Sequence, residues 1–226
     1  MNPQSNAPEL TLHRHDLVFV SSSAWRSLVE ARAELWLELL ADGWVDRGWP
    51  LVARRALPGE PRGIALGLSL PPAAGRLHFD IVMRPADVVS SRPPLALEHA
   101  IADAPPHWQP TLAKLLELGL RHGVKARVFG GLAWRVLTHL DYLTARSDLD
   151  LLVPIRHGSD AVLLAHELAE IERTAPMRLD VELVRADGAG ANWRELLAGK
   201  AELLVKTLAE VKLMPAGQFL CMGGRS

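Results

Sequence analysis

Two aspartates one residue apart, Asp148 and Asp150, stand inside the apolar run Ser147-Asp-Leu-Asp-Leu-Leu-Val153. Side chains two apart on a strand project from the same face, so this spacing presents two carboxylates side by side. Upstream, Arg127-Val-Phe-Gly-Gly-Leu-Ala-Trp134 reads as a strand entering a Gly-Gly turn and then a helix. Glycines there let backbone amides at the positive end of a helix meet a phosphate. A hard divalent cation such as Mg²⁺ takes carboxylate oxygens together with substrate phosphates. Metal-dependent transfer of a phosphorylated group is the chemistry that this pairing serves. A later strand, Met177 to Val184, sets Asp180 and Glu182 against Leu179, Val181 and Leu183. Either acid would supply a third carboxylate, with Asp180 preferred, or the pair is the solvent-facing side of an amphipathic strand.

The elements that must position these residues are legible from pattern. Residues 1–10 read as a disordered leader, and 11–84 as a small α/β unit. In that unit a strand at His15–Val20 precedes a helix capped at Ser22 or Ser23. Leu28, Ala31, Leu35 and Leu39 recur at helical spacing until Gly43. Strands at 50–55, 63–70 and 76–83 follow. Residues 85–110 hold six prolines and read as a covering loop or connection, with one short helix near Leu97–Ile101. Residues 111–215 read as the catalytic domain: a helix to His122, the glycine turn, the first acidic strand stopped by Pro154, a helix over 159–174, the second acidic strand, and a helix from Asn192 to Met214 broken near Gly199. Residues 216–226 read as a tail. The fold class is α+β, with a mixed sheet flanked by helices in the second half.

Bulk properties narrow the partners. The net charge of −1 over 226 residues gives no basic field for nucleic acid. The single cysteine, Cys221, excludes an internal disulfide and fits a cytoplasmic setting. No segment reads as a secretory signal or a membrane span.

Phe129-Gly-Gly131, Asp148-Leu-Asp150 and the later acidic strand together resemble the nucleotidyltransferase superfamily that includes DNA polymerase β. That resemblance implies a polymerase-β-like catalytic domain, with an added loop at Leu140–Arg146. A second resemblance covers about Arg14 to Met214. Arg14-His-Asp-Leu-Val18, Trp49-Pro-Leu-Val-Ala-Arg-Arg55, Gly130-Gly-Leu-Ala-Trp134, Ser147-Asp-Leu-Asp-Leu151 and Ala191-Asn-Trp-Arg-Glu-Leu196 are similar to the family of malonate decarboxylase holo-acyl-carrier-protein synthases, the phosphoribosyl-dephospho-CoA transferases.

This resemblance implies transfer of the phosphoribosyl-dephospho-CoA group from 2′-(5″-triphosphoribosyl)-3′-dephospho-CoA to a serine of the malonate decarboxylase carrier subunit, with release of pyrophosphate. Asp148 and Asp150 would hold Mg²⁺ with Asp180 or Glu182, Asp180 would help activate the serine, and Gly130 and Gly131 would cradle the triphosphate. The family often has Ser where Gly131 stands, so a hydroxyl contact is missing here. Arg54 and Arg55 would meet phosphate or simply be solvated; Lys200 and Lys206, placed on the late helix, would screen pyrophosphate. His15 and Trp134 read as packing residues, and Trp193 as either packing or binding. The N-terminal half would recognise substrate or carrier. The alternatives are a nucleotidyltransferase acting on another small molecule or RNA, and a non-catalytic relative that binds a nucleotide or carrier.

Overall fold

The computed structural model describes residues 11–36, 38–156 and 160–221. The expected leader, 1–10, lies outside them. β1 (Leu17–Val20) leads into α1 (Ser22–Ala31), where Ser21 Oγ accepts the Ala24 N–H at 3.3 Å. The single helix expected to run to Gly43 is instead three pieces: α1, α2 (Ala33–Trp36) and α3 (Leu39–Asp42). Arg32 leaves the helical path in an extended conformation, and its Nη1 donates to the Asp80 carbonyl at 2.7 Å. The break turns the pieces so that Trp25, Leu35, Ala41 and Trp44 are all buried while Leu39 is 82% exposed. A continuous helix would keep Leu35 and Leu39 on one side.

β2 (Leu51–Ala53), β3 (Ile64–Ser69), β4 (His78–Met83) and β5 (Val88–Arg92) join β1 in an antiparallel sheet ordered β4-β3-β2-β1-β5. The proline-rich stretch is therefore not a covering loop. Its first half carries β5, an edge of the first sheet, and it continues into β6 (Leu95–Ala96), an edge of the second. Prolines are tolerated at edges because no ladder donor is needed there. Pro93-Pro94 falls at the handover between sheets.

α4 (Gln109–Arg121), β7 (Arg127–Val128), α5 (Gly130–Thr138), β8 (Leu149–Pro154), α6 (Ala161–Glu172), β9 (Leu179–Val184) and β10 (Gly190–Asn192) follow. α6 is capped by Asp160, which accepts the Leu163 N–H at 2.8 Å; its expected start at Ser159 lies outside the described residues. The long helix expected from Asn192 to Met214 is only α7 (Trp193–Leu197). A hairpin of β11 (Glu202–Lys206) and β12 (Val211–Pro215) takes its place. Leu203 and Val205 point inward with Leu204 between them turned out, a period of two. Thr207 Oγ1 closes the turn by accepting the N–H groups of Ala209 and Glu210 at 3.2 and 2.9 Å. Within the expected tail, α8 (Ala216–Cys221) buries Phe219; 222–226 lie outside the described residues.

The second sheet runs β12-β11-β10-β9-β8-β7-β6, and within it β8 and β9 are parallel, joined through α6. The architecture is α+β. Among the described residues no helix is long and apolar enough to cross a membrane. One face of β8 and β9 (Leu149, Leu151, Val153, Leu179, Val181, Leu183) packs into a core with α4, α6 and α7. A second core lies under the first sheet, and Trp134 and Tyr142 from the second half belong to it. Trp134 meets Trp44 edge-on at 5.4 Å and stacks on Tyr142 at 6.0 Å, while the Tyr142 hydroxyl donates to the Ser69 carbonyl at 2.8 Å. The extra loop at Leu140–Arg146 thus ties the halves together. Trp134→Ala should lower unfolding free energy by about 3–5 kcal/mol in denaturant titration. A loss under about 1 kcal/mol would mean that Trp134 does not hold the two halves.

Candidate active site

The parallel register places Asp150 opposite Asp180 and Leu152 opposite Glu182, on the sheet face turned away from the helical core. Asp148 directly precedes β8 and is partly exposed, with Arg178 Nη1 at 3.6 Å from its Oδ2. The Asp150 carboxylate lies against Gly130. A Cβ at Gly130 would overlap Asp150 Oδ2, and this residue has φ +63°, which favours glycine. The Gly131 N–H donates to the same carboxylate. The first glycine therefore admits an aspartate of this chain, a tighter constraint than an open phosphate cradle. At Gly131 a Cβ would stand 3.1 Å from Leu143 Cδ2, so a larger residue needs only that side chain to yield.

Burial pushes Asp150 up to about 7, and the charge of Asp180 and then Asp148 adds to this against the Gly131 N–H and Arg178. Asp180 Oδ1 accepts from Asn192 Nδ2 at 3.2 Å. Glu182 is treated oppositely. Burial alone would raise its pKa, but Arg14 and Lys206 outweigh burial and hold it below the usual range. Arg14 donates to both Glu182 oxygens at 2.9 and 3.2 Å, and Lys206 Nζ to Oε1 at 3.1 Å. Lys206 thus lies on β11 rather than a helix, and its ammonium is committed to Glu182.

Among the described residues, no group of three or more His, Cys, Asp or Glu side chains is arranged to hold a metal ion. The donors that fit a divalent cation are the hard oxygens of Asp148 and Asp150, with Asp180 in register. Mg²⁺ commonly takes one or two carboxylates and completes its shell with water and phosphates. A cation would offset both causes that raise Asp150, its burial first and then the charges of Asp180 and Asp148. Glu182 does not fit, because Arg14 and Lys206 occupy its oxygens.

The N-terminal half reaches this face through the turn His13–Asp16. Asp16 Oδ2 accepts the His13 N–H at 2.8 Å, and the turn is pinned to β2 by bonds between His15 N and Ala53 O (2.9 Å) and between Ala53 N and Asp16 O (2.8 Å). His15 adopts φ +71°, a conformation held only when its surroundings determine it. Its ring lies 4.1 Å from that of Phe129, and burial, then Arg14, depresses its pKa to about 4, so the imidazole is neutral. His15 is a packing residue at the site's edge.

Two cavities flank this turn. One of about 270 Å³ runs from Gly130 between α5 and the first sheet; the other, of about 430 Å³, lies farther along β8 and β9. Arg54 is held by Glu60, by Asp80 Oδ1 at 2.9 Å and by the Leu66 carbonyl at 2.9 Å. The Arg55 guanidinium has no partner among the described residues and lines the first cavity. Lys200 stands 3.7 Å from Glu195. Trp193 is buried, its indole N–H on the Leu179 carbonyl at 3.3 Å. The structure brings Asp148, Asp150, Asp180, Gly130 and Gly131 into one neighbourhood. Sequence pattern missed the roles of Arg14 and Asn192, which sit in motifs noted only for resemblance.

Gly130→Ala should cost about 1–3 kcal/mol and displace Asp150, read by thermal melting. Asp150 ionises near 3.8 unfolded and near 7 folded. Between those values the fold retains a proton that the unfolded chain has released, so stability falls as pH rises through that window. Metal-free Asp150→Asn should therefore gain stability over wild type at pH 8, with the difference vanishing at pH 4; equal pH profiles would contradict the assignment.

Two family models match the chain: the phosphoribosyl-dephospho-CoA transferase MdcG N-terminal domain over residues 13–94 and the corresponding C-terminal domain over 96–217. A phosphoribosyl-dephospho-CoA transferase of Bradyrhizobium diazoefficiens is 49% identical over 207 residues, 92% of each chain. Relatives of the same name in Xanthomonas campestris pv. campestris and Pseudomonas putida are 34% and 32% identical, covering 89% and 76% of this chain and 93% and 78% of theirs. No solved structure matches. The chain belongs to the phosphoribosyl-dephospho-CoA transferase family and is a transferase enzyme.

Proposed function

We propose that this enzyme moves the phosphoribosyl-dephospho-CoA group of 2′-(5″-triphosphoribosyl)-3′-dephospho-CoA onto a serine of the malonate decarboxylase acyl carrier subunit, releasing pyrophosphate. The observation that carries this reading is the in-register pair Asp150–Asp180 beside the start of α5, in a chain matched over both halves by transferases of that name. The same arrangement supports a polymerase-β-like catalytic unit.

The serine Oγ forms a bond to the α-phosphorus as the bond from that phosphorus to the bridging oxygen breaks, and pyrophosphate leaves. Asp148 and Asp150 would hold Mg²⁺, which when bound neutralises the triphosphate and lowers the pKa of the attacking hydroxyl. Asp180, oriented by Asn192, receives the serine proton. Gly130 keeps the first turn of α5 close to Asp150, and the positive end of that helix favours the anionic donor. Glu182, held by Arg14 and Lys206, fixes the floor beside Asp180 without joining the chemistry.

Wild-type enzyme with Mg²⁺ and the triphosphoribosyl donor should add the prosthetic-group mass to the carrier subunit. Asp148→Asn and Asp150→Asn should each slow transfer by about a hundredfold or more, and a chelator should stop it. Absence of any mass gain with wild type would sink the reading; full activity of both variants would remove only the metal site.

A further inference from the structure

We propose that the cavity between α5 and the first sheet binds the nucleoside end of the donor, its base lying among His15, Leu137 and the Val52–Gly67 wall, with Arg55 taking a donor phosphate. The inference rests on the transfer reaction proposed above and gives the N-terminal half its task.

Gly130, Ala133, Trp134 and Leu137 recur at helical spacing along one face of α5 and line the cavity. The cavity thus begins at the glycine that touches Asp150 and leads away from it. A donor whose reacting phosphate lies at Asp148 and Asp150 finds its next space here.

β3 is an interior strand of its sheet, and Gly67 sits in its middle, paired with Val52 on β2 and Asp80 on β4. An interior-strand glycine weakens the sheet and commonly marks a close approach of a ligand or another backbone. Gly67 is not at positive φ, so backbone geometry does not require it. A Cβ there would stand 3.2 Å from His78 Cε1 and 3.8 Å from Arg54 Cδ, so the missing side chain leaves open the space between those residues.

The His15 imidazole, packed on Phe129 at 4.1 Å, and the apolar Leu137 and Val52 supply surface for a planar ring, the kind of contact by which flat side chains hold bases. Ser69 Oγ and His78 Nδ1, 2.8 Å apart, set a polar edge on one side. Arg54 is bound by Glu60 and Asp80, which leaves Arg55 as the guanidinium available to an anion. The larger cavity lies past Glu182, is lined by Arg14, Arg127 and Arg185 as well as Leu152, Ile155 and Val184, and does not reach Gly130.

The test uses the full chain and three probes: dephospho-CoA, adenosine and pantetheine, with binding measured by calorimetry. Dephospho-CoA and adenosine should bind, and pantetheine should not compete with them. Gly67→Val should weaken both by about tenfold or more while remaining folded by circular dichroism. Arg55→Ala should weaken dephospho-CoA about tenfold and leave adenosine unchanged, because only the former carries phosphate. The proposal is overturned if pantetheine displaces dephospho-CoA and adenosine does not bind, or if Arg55→Ala and a folded Gly67→Val both bind dephospho-CoA as wild type does. Should the carrier gain no mass while these binding results hold, the transfer reading fails and the nucleoside site stands.

Discussion

A carboxylate buried in a sheet must find positive charge or give up its own, and Glu182 finds it from two distant parts of the chain. Arg14 arrives from the N-terminal turn and Lys206 from the strand beyond β10. Removing one partner of a buried pair commonly costs several kcal/mol because the remaining charge is stranded. This one charge therefore requires the N-terminal turn, β9 and the final hairpin to be in place together. The turn is itself costly, since His15 holds a positive φ, and its bonds to Ala53 transmit the constraint to the first sheet.

Against that fixed point the neighbouring acids diverge. Asp150 and Glu182 lie on the same face of adjacent strands, yet Asp150 is driven up and Glu182 down. Burial acts on both in the same direction. What separates them is company: Glu182 has two cations, whereas Asp150 has Asp180 and Asp148. Environments that push like groups apart are a general means of assigning them different work. Here the division is between an acid that holds the structure and acids that remain available to ligand.

Much of the site was legible because it depends on short-range pattern. Asp148 and Asp150 differ by two residues on an apolar run, and that period alone sets them on a common side. Asp180 needed one further inference, that the two acidic strands are adjacent, and their parallel pairing through α6 makes it so. The failures have a common physical origin in tertiary override. Residues 192–214 have helical composition, but the alternation at Leu203 and Val205 and the hydroxyl of Thr207 favour a hairpin. The helix after β1 breaks because burying Trp25, Ala41 and Trp44 together is worth more than continuity. Arg14 and Glu182 lie too far apart in the chain for any local pattern to join them. The charge of Lys206 is plain in the sequence, but its pairing with Glu182 depends on the pairing of strands distant in the chain.

The handover at Pro93-Pro94 joins an edge strand of one sheet to an edge strand of the other. β5 and β6 are sheet edges, where unpaired backbone groups invite a foreign strand. The dipeptide between them has no N–H to offer, and the Pro94 carbonyl is already taken by Arg127 Nη1 at 2.7 Å. β6 itself is only Leu95–Ala96, too short to template much pairing. The chain thus passes from one edge strand to the other without a backbone donor at the handover.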